Sequence, residues 1–166
     1  LGNFNNATFI HQGVTSTFSH NDSGYQVNTQ GADGSYQDFK IDYTFGVEPL
    51  QQYLIKFDDG RMQALTTAWD SRPKEQGGQR WYQLMPNDMG KPGESLHWTG
   101  AYYNWNSRCA ECPSTGLEKN YDMPTDTYTT AWSEVNVACE SCHGPGSAHV
   151  DWAKLPKGNQ KDKEKG

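Results

Sequence analysis

The sequence lacks any long apolar run. No stretch approaches the roughly 20 apolar residues that a membrane-spanning helix needs, so no span is expected. Only 34% of the 166 residues are hydrophobic, and the mean hydropathy is −0.92. Acidic residues outnumber basic ones, which gives a net charge of −6. Because no basic stripe accompanies the aromatic residues, a nucleic-acid partner is not expected either.

The sequence also lacks a signal peptide, and it begins at Leu1 rather than at methionine. We interpret it as a mature, processed or excised segment, so this absence says nothing about the compartment. What it does contain is aromatic rings, with six tryptophans and nine tyrosines beside 17 glycines. A polar chain with this composition is typical of a protein whose interior is completed by a non-peptide component.

The first 90 residues contain no cysteine and predict antiparallel β-structure, as a meander or small open barrel. Turn sequences rich in asparagine, aspartate and glycine separate runs of β-branched and aromatic residues. The predicted strands are Val14–Ser19, Tyr25–Thr29, Tyr36–Phe45, Gln52–Phe57, Met62–Trp69 and Arg80–Leu84.

The remainder of the chain differs in composition from the first 90 residues. Together the two parts predict an α+β fold. Residues 91–155 are rich in glycine and proline, contain all the cysteines, and predict a loop-rich cofactor-binding module with short helices. One such helix is expected to run from an N-cap at Ser147 to Leu155, ended by Pro156. Residues 156–166 carry four lysines and predict a flexible tail.

The four cysteines form two C-x-x-C pairs, and the second pair is followed directly by a histidine. Cys139, Cys142 and His143 make the C-x-x-C-H signature of covalent c-type haem attachment. Residues three and four apart share a helix face, so both thiols can reach the porphyrin vinyl groups while the imidazole ligates the iron. This motif predicts haem c, with His143 as the proximal ligand.

The first pair, Cys109 and Cys112, is followed by Pro113, which cannot ligate iron. It predicts a second haem c attached through two thioethers with ligands from elsewhere, or a disulfide or free thiol pair, or a sequence change at position 113. Four thiolates with this spacing are also compatible with a structural zinc site.

Three long phrases of the sequence resemble a bacterial multihaem cytochrome c family. This family is related to the tetrahaem cytochromes of hydroxylamine oxidation, and some of its members carry tetratricopeptide repeats. The phrases are "TFGVEPLQQYLIKFDDGRMQALTTAWDSRPKEQGGQRWYQLMP", "LHWTGAYYNWNSRCAECPSTGLEKNYD" and "TTAWSEVNVACESCHGPGSAHVDWA".

The resemblance implies roles for individual residues. The two cysteine pairs match thioether positions, His143 matches a proximal ligand, and His149 matches a histidine that ligates a haem from the distal side. Pro113 departs from the family pattern, which has histidine there. Family members usually carry further attachment motifs upstream, so the resemblance also implies a truncated piece or one part of a split assembly.

The remaining histidines complete the candidate ligand set. His97 lies just before the cysteine region and is a candidate distal ligand, with a surface or hydrogen-bonded role as the alternative. His11 lies in the β half and could reach a haem at the sheet edge, or be an ordinary half-buried residue. His20 is expected to be a solvated turn residue. The four methionines lie in no recognisable axial-ligand motif, and packing is their expected role.

Three functions from different classes follow from these residues. The first is an electron-transfer multihaem cytochrome with bis-histidine iron, working with other redox proteins or haem subunits, and assembled into a larger cytochrome complex. The second is an oxidoreductase that reduces a small nitrogen or sulfur oxyanion at a haem with an open position. The third is a zinc-stapled binding module. Haem attachment requires exported apoprotein, which predicts a periplasmic or extracellular location.

Overall fold

The computed structural model describes residues 1–160. It consists of antiparallel sheets followed by a loop-rich region with short helices, which agrees with the expected combination of sheet and short helix. The predicted lysine-rich tail falls largely on residues 161–166, which lie outside the described residues. The strands are β1 (Asn5–His11), β2 (Val14–Asn21), β3 (Gly24–Gln30), β4 (Tyr36–Lys40), β5 (Tyr43–Phe45), β6 (Leu50–Lys56), β7 (Met62–Ala64), β8 (Thr67–Asp70), β9 (Arg80–Gln83), β10 (Tyr121–Asp122) and β11 (Thr127–Tyr128).

The helical elements are short. The α-helices are α1 (Trp105–Arg108), α2 (Glu140–His143) and α3 (Ser147–Ala153). Single 3₁₀ turns lie at Lys74–Gln76, Ala101–Tyr103 and Lys157–Asn159. Within residues 1–160, no helix has the length and apolar character needed to cross a membrane.

The first sheet is a four-stranded meander in the order β1-β2-β3-β4. The hairpin between β2 and β3 closes at the pair Asn21 and Gly24, where the sequence predicted a turn. Gly24 takes a φ of +120°, which glycine adopts without a steric penalty. Strand β1 was not predicted from the sequence, because its two asparagines favour turns. The register of its pairing with β2 shifts between Asn5 and Ala7, where Asn6 has a positive φ.

The second sheet has the order β5-β6-β8-β9, with β7 also paired to β6. The single strand predicted over 36–45 is wrong, because the chain changes sheets within it. Ile41 donates its N–H to Tyr25 in the first sheet, and Asp42 donates its N–H to Leu54 in the second. The strand predicted over 62–69 is likewise divided at Leu65 and Thr66. Within residues 1–160 the strands form separate sheets and do not close into a barrel.

An aromatic cluster fills the space between the sheets. The Phe18 and Trp81 rings stack at 3.5 Å between centroids, and Phe4 meets Trp81 edge-on at 5.4 Å. Tyr53 is fully buried beside them, and burial raises its pKa to about 12. These large side chains bury enough apolar surface to stabilise a chain that has few aliphatic residues.

A second apolar cluster fixes the first cysteine pair to the second sheet. Trp105 and Ala110 pack with Leu54, Met62 and Ala64. This cluster places the segment around Cys109 against strands β6 and β7.

Two buried amides reinforce that contact. Gln63 donates from Nε2 to the carbonyls of Trp98, at 3.0 Å, and Gly100, at 2.8 Å. Asn106 accepts from the N–H of Met62 at 2.7 Å. The β strands therefore hold the cysteine-containing region through bonds that cross residue 90.

The predicted limits of α3 require correction. The N-cap is Gly146 rather than Ser147, and the helix ends at Ala153 rather than at Leu155. The N–H of Leu155 instead bonds the carbonyl of Trp152, so the chain leaves the α-helix through a tighter turn before Pro156.

Candidate haem attachment site

The C-x-x-C-H sequence forms a single helical turn. Cys139 is the N-cap of α2, and its carbonyl accepts the N–H groups of Cys142, at 3.3 Å, and His143, at 3.0 Å. Both cysteines are free, and both thiols and the imidazole are exposed. The three side chains predicted to hold one haem therefore lie on one turn and are open to a macrocycle.

A single hydroxyl anchors this turn to the rest of the protein. Thr115 Oγ1 lies 2.6 Å from the carbonyl oxygen of Asn136, 2.8 Å from the N–H nitrogen of Ala138 and 2.7 Å from Oγ of Ser141. The carbonyl can only accept, so it takes the one hydroxyl proton of Thr115, and Ser141 must then donate to Thr115. Thr115 is 4% exposed and fully bonded. Since it lies three residues after Cys112, it connects the two cysteine motifs.

The end of the turn is fixed by a glycine and a carboxylate. Gly144 caps α2 with φ +73° and ψ −174°, a conformation that only glycine adopts readily. Oε1 of Glu140, which lies inside the attachment motif, accepts the N–H of Gly146 at 3.0 Å. The chain is thereby turned sharply from α2 into α3.

Exposed apolar side chains flank the turn in the sequence. Four aliphatic residues on either side of α2 are exposed: Val135 (67%), Val137 (59%), Val150 (45%) and Leu155 (44%). Such a concentration of exposed aliphatic side chains marks a surface that something apolar covers. Two thiols, an imidazole and this apolar surface together fit a covalently attached porphyrin.

The first cysteine pair, Cys109 and Cys112, lies at the end of α1. Cys109 is the C-cap of that helix, and its carbonyl accepts the N–H of Cys112 at 3.3 Å. Both thiols are free; Cys109 is partly buried and Cys112 is exposed. Burial raises the pKa of Cys109, the nearby Cys112 raises it further, and Arg108 opposes the shift.

An apolar cavity of about 270 Å³ opens beside Pro113. Strands β5 to β7, α1 and the segment before α2 form its wall. The lining residues are Tyr43, Thr44, Phe45, Gly46, Val47, Leu54, Met62, Trp105, Pro113, Trp132, Val135 and Asn136. One of them, Trp105, is 5% exposed, and its Nε1 has no hydrogen-bond partner among residues 1–160. A buried donor without a partner carries a free-energy cost.

The candidate histidines occupy different environments. His149 lies on α3, exposed, with its ring 6.1 Å from that of Trp152. His11 lies at the end of β1, where its Nε2 donates to the carbonyl of Pro86 at 2.9 Å. His20 is exposed near the end of β2, as a solvated residue would be, although it lies in the strand rather than in the turn.

His97 is 4% exposed, and burial lowers its pKa. Its Nδ1 lies 2.7 Å from Oγ1 of Thr99 and accepts the N–H of Thr99 at 3.4 Å. In this arrangement Nε2 carries the ring proton. Ligation through Nε2 requires the other tautomer, with Nδ1–H donating to the Thr99 hydroxyl. A distal-ligand role for His97, like those of His149 and His11, stays a prediction.

Within residues 1–160, no three histidine, cysteine, aspartate or glutamate side chains are grouped so as to hold a metal ion. The four cysteines are therefore not gathered into the four-thiolate arrangement that a structural zinc site needs. This arrangement gives the zinc interpretation no support.

Sequence reasoning missed the residues that position the turn. Thr115, Ser141 and Glu140 are ordinary polar residues in the sequence, and no motif marks the bonds between positions 115 and 141. Only the position of Ser141 and Glu140 between the two cysteines could have singled them out.

Comparison with known proteins agrees with this geometry. Residues 64–144 match the family model described as cytochrome c554 and c-prime. This match supports a cytochrome c family. It covers just under half of the chain, includes both cysteine pairs and His143, and ends at Gly144, before α3. No curated protein and no solved structure gives a significant match. The family match supports haem c as the cofactor and electron transfer between redox partners as the role.

Proposed function

We propose that the chain is an electron-transfer multihaem c-type cytochrome, or a segment of one. The observation that carries the proposal is the exposed turn of Cys139, Cys142 and His143, held by Thr115 and lying within the family match. The thiols would form thioethers to the porphyrin, and His143 would be the proximal ligand. The haem would supply a one-electron couple.

In this proposal the carrier has both axial positions of its iron filled by histidine. His149 lies on the next helix, six residues after His143, and Glu140 holds the sharp turn between the two helices. With a histidine on each side, the iron would change oxidation state with little rearrangement and would offer no site to a substrate. Val135, Val137, Val150 and Leu155 would be covered and would exclude water from the ring.

We further propose a second haem c on Cys109 and Cys112, with His97 and His11 as candidate ligands within the chain. Thr115 follows Cys112 closely and bonds Ser141 between the other two cysteines. That connection would hold the two haems at a fixed separation, so that electrons could pass between them. The iron of the second haem cannot be ligated by Pro113.

The proposed haem sites give each part of the chain a different role. In this proposal residues 1–90 are a β scaffold, residues 91–155 carry the haems, and the lysine-rich sequence 156–166 contributes no haem ligand. Electron exchange would take place with other redox proteins or haem subunits, as part of a larger cytochrome assembly. Because haem is joined to exported apoprotein, the site of action would be the periplasm or the cell exterior.

Counting covalent haems tests the proposal directly. The full chain, expressed with a cytochrome c maturation system, should weigh two haems more than its amino acids in intact mass spectrometry. The double variant Cys139→Ala/Cys142→Ala should lose one haem, and Cys109→Ala/Cys112→Ala should lose the other. A purified chain with the mass of its amino acids alone would contradict the proposal.

The cavity beside Pro113 favours a second candidate, an oxidoreductase. A haem on Cys109 and Cys112 with no ligand at position 113 would have an open position facing this cavity, where a nitrogen or sulfur oxyanion could be reduced. In that case the spectrum should contain a high-spin component that shifts with nitrite or cyanide. A wholly low-spin spectrum, unaffected by either ion, would favour the carrier.

A further inference from the structure

We infer that Met62 is the iron ligand of the haem on Cys109 and Cys112, supplying the axial bond that Pro113 cannot. This inference rests on the proposed second haem. It assigns to Met62 a role other than the packing role that the sequence suggested.

The first support is the shared cavity. Pro113 directly follows Cys112, in the position where a C-x-x-C-H motif carries its ligand, and Pro113 and Met62 line the same cavity of about 270 Å³. A thioether sulfur is an established axial ligand of c-type haem iron. Met62, whose side chain can ligate iron, therefore lines the same cavity as Pro113, the residue that stands in place of the motif's histidine.

The second support is the chemistry of the other lining residues. Among the described residues that line this cavity, only Met62 and Tyr43 carry an atom type that commonly ligates haem iron. Tyr43 ligates only as a phenolate, and a charged oxygen is disfavoured against an apolar wall. Tyr43 is also 42% exposed, whereas Met62 is 3% exposed within an apolar cluster. The neutral thioether suits this environment.

The third support is the backbone bond that fixes Met62 relative to the cysteines. Asn106, which lies on α1 three residues before Cys109, is fully buried and accepts the Met62 N–H at 2.7 Å. Its Nδ2 donates to the carbonyl of Gly60, at 3.2 Å, and to Oγ1 of Thr130, at 2.8 Å. Because every polar atom of this amide is engaged, the start of β7 is tied rigidly to the helix that carries Cys109.

Ligation by the Met62 thioether should change the reduction potential of the haem. Ligation by methionine raises the reduction potential of a c-type haem above that of a bis-histidine haem. The chain would then hold one haem of low potential, on Cys139 and Cys142, and one of higher potential, on Cys109 and Cys112. Electrons would move from the first to the second.

The test uses the full haem-loaded chain and the variant Met62→Leu, with Met123→Leu as control because Met123 is 78% exposed. Leucine keeps the volume and apolar character of the buried side chain, so the fold should be retained. The parent and the control should show the sulfur-to-iron charge-transfer band of the ferric protein and two separate midpoint potentials. Met62→Leu should lose the band and shift the higher potential downwards.

The variant Pro113→His provides a second, independent measurement. An imidazole restored at position 113 should displace the thioether, abolish the sulfur band and lower the higher potential towards that of the first haem. The inference is overturned if the parent shows no sulfur band, or if Met62→Leu leaves the band and both potentials unchanged.

Intact mass separates failure of the inference from failure of the proposed function. Two haems with no response to Met62→Leu would overturn Met62 as ligand and leave the two-haem cytochrome standing. A single haem on Cys139 and Cys142 would overturn both the second haem and its ligand.

Discussion

The hydroxyl oxygens of Thr115 and Ser141 lie 2.7 Å apart and join two segments that are 26 residues apart in sequence. Thr115 follows the first cysteine pair, and Ser141 lies between the cysteines of the second. This bond, together with those from Thr115 Oγ1 to Asn136 and Ala138, links one motif to the other.

Removal of the Thr115 hydroxyl should destabilise the attachment turn. Thr115→Val leaves the Asn136 carbonyl, the Ala138 N–H and the Ser141 hydroxyl without their shared partner, at a cost of about 1–3 kcal/mol. Urea unfolding should report the loss, and hydrogen exchange at the Ala138 amide should become faster. Thr115→Ser keeps the hydroxyl and should retain most of the stability. Equal behaviour of the two variants would argue against the role of this bond.

A substitution at Gly144 should weaken the turn after His143. Gly144→Ala places a side chain at φ +73° and ψ −174°, where the strain is about 1–3 kcal/mol. The expected results are lower thermal stability and a smaller fraction of chains carrying haem at Cys139 and Cys142, measured by intact mass. Gly146→Ala is the matched control, since Gly146 has φ −81° and an added Cβ would meet nothing closer than 3.5 Å. Equal losses in both variants would contradict this explanation.

Acid stability should depend on Asp70. Hydrogen bonds from Arg72, at 2.9 and 2.6 Å, lower the pKa of Asp70 from 3.8 to about 2, with a smaller contribution from Arg80. Because the pKa is lower in the folded chain, the unfolded chain takes up the proton first. The stability from this carboxylate is therefore present above about pH 4 and is lost as the pH falls to about 2.

Urea midpoints measured between pH 2 and pH 6 test this dependence. Asp70→Asn should lower the midpoint at pH 6, and the gap to the parent should narrow below pH 4. Asp22→Asn, in the exposed turn between β2 and β3, should follow the parent curve. A gap that stays constant with pH would refute the assignment to Asp70.

The aromatic stack should be the most sensitive part of the β scaffold. Phe18 is fully buried and stacks on Trp81 at 3.5 Å, so Phe18→Ala should cost about 3–5 kcal/mol in free energy of unfolding. Ile10→Ala, on the neighbouring strand, removes a side chain that is 67% exposed and should cost within about 0.5 kcal/mol. Chemical denaturation of both variants provides the comparison; similar costs would contradict the packing argument.

Much of the β scaffold could be predicted from sequence, because its signals are local. The turn at Asn21–Gly24 and the predicted strands Val14–Ser19 and Tyr25–Thr29 on either side of it depend on neighbouring residues, and these predictions are confirmed. The break at Ile41 and Asp42 could not be predicted, since it depends on which sheet each residue bonds. The continuous β pattern of 36–45 contains no residue that interrupts a strand.

The candidate site divides in the same way. The turn of Cys139, Cys142 and His143 follows from the spacing of its residues and forms the expected single helical turn. Thr115 and Asn106 could not have been found, because their bonds reach across 26 and 44 residues to partners of no distinctive type. Long-range polar contacts of this kind are a property of the folded chain alone.

The pair of bonds from Gln63 to Trp98 and Gly100 has a consequence for how the protein could be divided. Gln63 is 1% exposed, so a protease that cleaved the loop at 86–93 would sever the chain without separating its parts. The two pieces would stay associated like the halves of a nicked protein. If the two halves were expressed separately, divided at that loop, neither would have a complete buried core.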